Sequence, residues 1–143
     1  MIAVDTNILV HAHREESPWH ISAKDALAGL GAERWGIPWP CLHEFLAVVT
    51  HPKILDPPTP LEDALMAVET WLQAPLLSVL GELDGYWSSL SDVLRSSQVA
   101  GPRVHDARIA ALCLQHGVRE LWTMDRDFSR FARLTTRNPL LSR

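Results

Sequence analysis

The chain begins with a short apolar run, Ile2-Ala3-Val4, that breaks off at Asp5-Thr6-Asn7. Three apolar residues are too few for a helix and suit a strand buried on both faces, the habit of a parallel sheet. A parallel pair needs a long crossover, usually helical, so this start commits the chain to strands alternating with helices. It also sets a carboxylate at the carboxyl end of the first strand.

The rest of the sequence keeps to that alternation. Thr6-Asn7 start a helix through Ile8, Leu9 and Val10. A second helix is expected over residues 18–30, with Ser17 as cap and Pro18 at the first helical position. A strand at Trp35–Ile37 leads through Pro38 and Pro40 into a helix whose Leu42, Phe45, Leu46 and Val49 recur at the spacing of a buried face. The proline-rich stretch from His51 to Pro60 reads as a loop inside one domain. Residues 60–73 form the next helix, with Thr59 as cap and Glu62 at the capping-box position. Leu76–Leu80 reads as a strand, Leu83–Ser97 as a helix, and Val104–His116 as a helix ended by Gly117. A strand over Glu120–Thr123, a short helix near Asp127–Ala132 and a last strand near Leu134–Thr136 finish the chain. The expected fold is α/β: a mainly parallel sheet of four to five strands flanked by helices on both faces, in a single domain over residues 1–143.

With 143 residues, 47% of them hydrophobic and 21% charged, the composition fits one globular domain and excludes a disordered, charge-rich segment. No stretch approaches the ~18 apolar residues of a membrane span and no basic leader precedes Ile2, so a cytoplasmic protein is expected. Cys41 and Cys113 lie far apart in apolar surroundings and are expected as buried thiols. The net charge of −4 argues against nonspecific coating of nucleic acid, yet it is unevenly spread. Residues 1–94 hold 4 basic and 13 acidic side chains, whereas residues 95–143 hold nine arginines against Asp106, Glu120, Asp125 and Asp127. That arginine-rich third suits phosphates or a carboxylate-rich partner, or else a solvated face of scattered ion pairs.

Four acids fall at carboxyl-end positions of the expected sheet. Asp5 follows the first strand, Glu44 lies in the opening turns of the helix after the second, Asp106 is in the first turn of a late helix, and Asp125 lies just past residues 120–123. In open parallel sheets the ligand crevice is at that end. Asp106 also shares a helix line with Ile109, Ala110 and Cys113, which aims it toward the sheet. Two unit charges about 4 Å apart repel by roughly 4 kcal/mol in a partly covered site, so a hard divalent cation, Mg²⁺ or Mn²⁺, is expected among them. Thr6, Asn7 and Thr123 flank the acids as donors able to orient carboxylates. Asp127 is either a fifth acid or the cap of a short helix. Arg103, Arg108 and Arg126 are nearest to the acids in sequence and are candidates for gripping a substrate.

These residues resemble the PIN domain family, most closely the VapC-type ribonuclease toxins of toxin–antitoxin pairs. The likeness runs nearly end to end. It rests on Val4-Asp5-Thr6-Asn7, on Glu44-Phe45 followed by Val48-Val49-Thr50-His51-Pro52, on His105-Asp106-Ala107, and on the segment from Thr123 to Phe128. The resemblance implies a PIN-like fold and an Mg²⁺- or Mn²⁺-dependent endoribonuclease whose metal-binding and catalytic acids are Asp5, Glu44, Asp106 and Asp125. It makes Asp127 an accessory acid and Thr6, Asn7 and Thr123 polar support. It further implies an RNA substrate, a homodimer, and silencing by a VapB-like antitoxin.

Other chemistries fit less well. An aspartyl-phosphate phosphatase would want a second acid two residues after Asp5, where Asn7 stands, and a lysine in the C-terminal third, which has none. A non-catalytic RNA- or protein-binding PIN module would be expected to lose acids, and all four are present. The seven histidines include His43 and His105 beside acids, but neither His-Glu-x-x-His nor cysteine-rich zinc spacing occurs. Trp71, Trp87 and Trp122 sit in apolar patterns and are expected in core or interface. Leu61, Leu65, Val68 and Leu72 form a stripe suited to core packing or to a partner groove.

Overall fold

The computed structural model describes residues 1–141, and along them five strands alternate with six α-helices. β1 (Ile2–Val4) leads to α1 (Thr6–His13) and α2 (His20–Leu30); β2 (Trp35–Pro38) leads to α3 (Trp39–Val49) and α4 (Leu61–Leu72). β3 (Leu77–Leu80) leads to α5 (Tyr86–Ser97) and α6 (Val104–Gln115). β4 (Glu120–Trp122) and β5 (Thr136–Arg137) follow, with a 3₁₀ turn at Arg126–Arg130 between them.

The sheet is wholly parallel, in the order β3-β2-β1-β4-β5. β1 is its centre and is buried at all three residues, which is why its sequence is apolar without alternation. The steps from β1 to β3 run one way and the step from β3 to β4 runs back. Right-handed crossovers in opposite directions lay helices on opposite faces. Accordingly α1 packs on α2 and α3, while α5 packs on α6. Between β1 and β4 the connections leave in opposite directions, the place where open α/β sheets form a crevice. Val4 pairs with Trp122 there, and the Asp5 amide donates to the Trp122 carbonyl at 2.9 Å, so Asp5 and Thr123 leave the sheet side by side.

Close packing leaves no slack at β2. A Cβ on Gly36 would sit 3.0 Å from Leu80 Cδ2, and Leu80 is fully buried. Gly36→Ala is therefore expected to destabilise by about 1–3 kcal/mol, measured by denaturant unfolding. An unchanged midpoint would show that Leu80 moves aside freely.

Helix starts depart from the sequence reading where the expected cap is engaged elsewhere. Ser17 does not cap α2 and Pro18 does not open it. Ser17 Oγ accepts the Trp19 amide at 3.0 Å and meets His11 Nδ1 at 2.6 Å, and the helix begins only at His20. Thr59 is likewise no cap. Its hydroxyl faces His13 Nε2 and Arg14 Nη1, each at 3.1 Å, and α4 starts at Leu61 without a side-chain cap, so no capping box forms with Glu62. α5 starts at Tyr86, not Leu83, because Gly85 takes φ 80° to turn the chain into it. The last strand is shorter and later than expected, at Thr136–Arg137. Trp122 is buried and Trp71 packs edge-on against Phe45, but Trp87 lies outside the core at 71% exposure. Of the α4 stripe only Val68 is buried, leaving Leu61 and Leu72 exposed. Among the described residues no helix is long and apolar enough to cross a membrane. Cys41 and Cys113 are buried free thiols.

Candidate active site

Asp5 caps α1 from the end of β1 and is only 4% exposed. Its carboxylate accepts from the Thr6 amide at 2.8 Å, the Thr123 hydroxyl at 2.7 Å, Asn7 Nδ2 at 3.4 Å and the Cys41 thiol at 3.5 Å. Thr123, having given its proton to Asp5, accepts from Asn7 Nδ2 at 3.4 Å and from the Asp125 amide at 3.0 Å. Asn7 Oδ1 accepts the Met124 amide at 3.1 Å, which fixes the direction of its amide. The ends of β1 and β4 are thus joined through Asp5, Asn7 and Thr123.

The other acids approach from three further elements. Glu44, exposed on α3, has Oε2 3.1 Å from Thr6 Oγ1, which also lies 3.2 Å from the Cys41 carbonyl oxygen; one hydroxyl proton serves both. Asp125 caps the 3₁₀ turn by accepting the Asp127 amide at 2.9 Å. Asp127 is therefore not the cap. Its carboxylate pairs with Arg103, and the same guanidinium reaches Asp106 Oδ2 at 3.3 Å. One cleft of about 230 Å³ is lined by Asp5, Glu44, Asp106 and Asp125 together with Thr6 and Asn7. Arg108 lines a neighbouring cavity, and Arg126 is exposed and lines neither.

Burial pushes the Asp5 carboxyl up to about 6, against the pull of hydrogen bonds from Thr123, Thr6 and Cys41, with the Glu44 charge adding to the rise. Asp106 is also raised, first by burial, while Arg103 draws it down and the charges of Asp125 and Asp127 push it up. Among the described residues Asp5, Glu44 and Asp125 have no ion-pair partner. No three His, Cys, Asp or Glu side chains there come close enough to enclose an ion unaided. The donor set is nevertheless all hard oxygen around an open cleft. That suits Mg²⁺ or Mn²⁺, held by one or two carboxylates with water completing the shell, better than zinc, whose sites are built mainly on histidine nitrogen and cysteine sulfur.

Two neighbours of the acids were not legible as such. His11 lines the cleft, and burial lowers its pKa. Its spacing from Asn7 and Val10 on one face of α1 is the pattern that would have placed it. Cys41, read from sequence only as an apolar thiol, donates to Asp5; it stands one helical turn before Glu44 on α3.

The PIN domain sequence pattern matches residues 2–134. Ribonuclease VapC48 of Mycobacterium tuberculosis is 35% identical over 139 residues, covering 94% of each chain. Ribonuclease VapC43 of the same organism is 34% identical over 142 residues, covering 98% of this chain and 96% of its own. Among solved structures, VapBC2 from Rickettsia felis bound to a promoter DNA fragment superposes with a TM-score of 0.70 at 19% identity, over 96% of this chain and 98% of the other. With that sheet order, an acid cleft at the β1–β4 crevice, and relatives matched nearly end to end, the chain belongs to the PIN domain family.

Proposed function

We propose that this chain is a metal-dependent endoribonuclease, the toxin of a toxin–antitoxin pair, and that it binds Mg²⁺ or Mn²⁺ through Asp5 and Asp106. The observation that carries this reading is a cleft lined by four carboxylates of which three have no counter-ion among the described residues. When bound, a divalent ion supplies acidification of water and neutralisation of charge at a phosphodiester. Thr6, Asn7 and Thr123 hold the Asp5 and Glu44 oxygens in orientation. Glu44 and Asp125, less enclosed than Asp5, either add to ion binding or take up and return protons at the attacking water and leaving oxygen. Asp127 steadies Arg103, and Arg103, Arg108 and Arg126 grip the RNA backbone.

The names of the relatives support an RNA substrate and, through the VapBC complexes, a VapB-like partner. Leu61, Met66 and Leu72, exposed along α4, offer apolar surface for a segment of that partner. A cytoplasmic homodimer completes the reading.

The test uses purified protein and a panel of structured RNAs. Cleavage should need Mg²⁺ or Mn²⁺, stop with a chelator, return on adding metal back, and fall more than about a hundredfold in Asp106→Asn, beyond the loss typical of an outer-sphere change. Sequencing of RNA ends after brief induction of wild type and Asp106→Asn would identify the target. RNA bound but left intact by metal-loaded wild type would replace the nuclease with a binding module.

A further inference from the structure

Beside the acid cleft lies a second cavity of about 490 Å³ between α3 and α6, and the two share Glu44, Asp106 and Ile109. Its volume falls in the range of roughly 300–1,000 Å³ that small-molecule ligands fill, so it can take a nucleotide. The remaining wall includes His43, His105 and Arg108. None of these three is in an ion pair with a described residue. Trp39 stacks on His43, with ring centroids 6.0 Å apart and 28° between planes, and Trp39 remains 43% exposed. The indole is also seated against the loop after β3, where a Cβ on Gly81 would meet Trp39 Cδ1 at 3.4 Å. The His43 ring is thus stacked on an exposed indole and lines a cavity whose wall also carries Glu44, Asp106 and Arg108.

We propose that this cavity holds a nucleotide next to the scissile phosphate of single-stranded RNA, its base stacked on the Trp39–His43 pair and its phosphate on Arg108. The proposal rests on the nuclease reading. Aromatic planes stack on any base, while a guanidinium binds phosphate oxygens through paired hydrogen bonds. Glu44 and Asp106 on the shared wall repel the backbone from their side, which directs its phosphate toward Arg108. The strand would then enter the acid cleft along the groove between α3 and α6, and the pair would select where the RNA is cut.

The test measures binding of a labelled single-stranded oligoribonucleotide to Asp5→Asn protein, alone and with Trp39→Ala or His43→Ala added. Each added change is expected to weaken binding roughly tenfold, as loss of a base stack does. His43→Phe, which keeps the plane, should recover most of it. In the otherwise wild-type chain His43→Ala should raise KM by more than it lowers kcat and shift the cleavage sites. Unchanged affinity, KM and cleavage sites in both alanine variants, with wild type still cutting, would overturn the subsite and leave the nuclease reading standing. A changed sedimentation coefficient with unchanged RNA affinity would assign this face to a second copy of the chain and also overturn it. Wild type that neither binds nor cuts RNA would remove the nuclease reading and the subsite together.

Discussion

Asp5→Asn should abolish RNA cleavage and at the same time leave the metal-free protein more stable at neutral pH. The two effects have separate causes. Cleavage is lost because an amide cannot replace the carboxylate charge that holds a divalent ion, and a loss of more than about a hundredfold is expected. Stability rises because Asp5 is buried without a counter-ion, so ionising it works against the fold. Asparagine fits the same space. Its oxygen can keep the Thr6 amide at Oδ1, whereas at Oδ2 the new NH₂ replaces an acceptor that takes the Thr123 hydroxyl at 2.7 Å and Asn7 Nδ2 at 3.4 Å, a loss that offsets part of the relief of the buried charge. Thermal melting at pH 7 in chelator should show the variant several degrees above wild type, since ~1 kcal/mol moves a domain of this size by about 2–8 °C. A variant that melts well below wild type would mean that the charge is already compensated in the fold.

The second large effect is a stability that falls as pH rises. Asp5 keeps its proton up to about 6 in the folded chain but gives it up near 3.8 when unfolded. Between those values the folded state binds more protons, so the unfolding free energy declines with pH. At about 1.4 kcal/mol per unit, the decline approaches roughly 3 kcal/mol across the window and stops above it. Asp106 acts in the same direction, more weakly, because it is partly exposed and Arg103 sits beside it. Mg²⁺ should cancel the decline, since an ion bound to the carboxylate takes the place of the proton and binds better once the proton has left. Denaturant unfolding from pH 4 to pH 7, with and without Mg²⁺, tests this. A metal-free profile that rises over that range would contradict the assignment of Asp5, and Asp5→Asn should flatten it.

The alternation of strands and helices was legible because it rests on apolar pattern alone. Ile2–Val4 reads as a buried strand from three letters, and the carboxyl-end rule then points Asp5, Glu44, Asp106 and Asp125 to one end of the sheet, where they line one cleft. What escaped was decided by side chains far away in sequence. Thr59 has the local signature of a cap, yet His13 and Arg14 hold its hydroxyl from across the fold. Asp127 fits either a fifth acid or a cap in sequence; Asp125 takes the cap role, and Arg103 pairs with the Asp127 carboxylate. Cys41 carried no local sign of polarity, and only the arrival of β1 turned its thiol into a donor to Asp5. Trp87 fits core or interface in sequence and Leu61 fits core packing or a partner groove; their exposure rules out the core, and it is set by which helix face meets the sheet, which short amphipathic windows do not fix.

The most direct measurement is anomalous diffraction from a crystal grown with Mn²⁺. A peak within coordination distance of carboxylate oxygens of Asp5 and Asp106, with Glu44 and Asp125 facing the same ion or its waters, is the predicted result. A cleft without a peak at saturating Mn²⁺, or an ion bound only at other carboxylates, would contradict it.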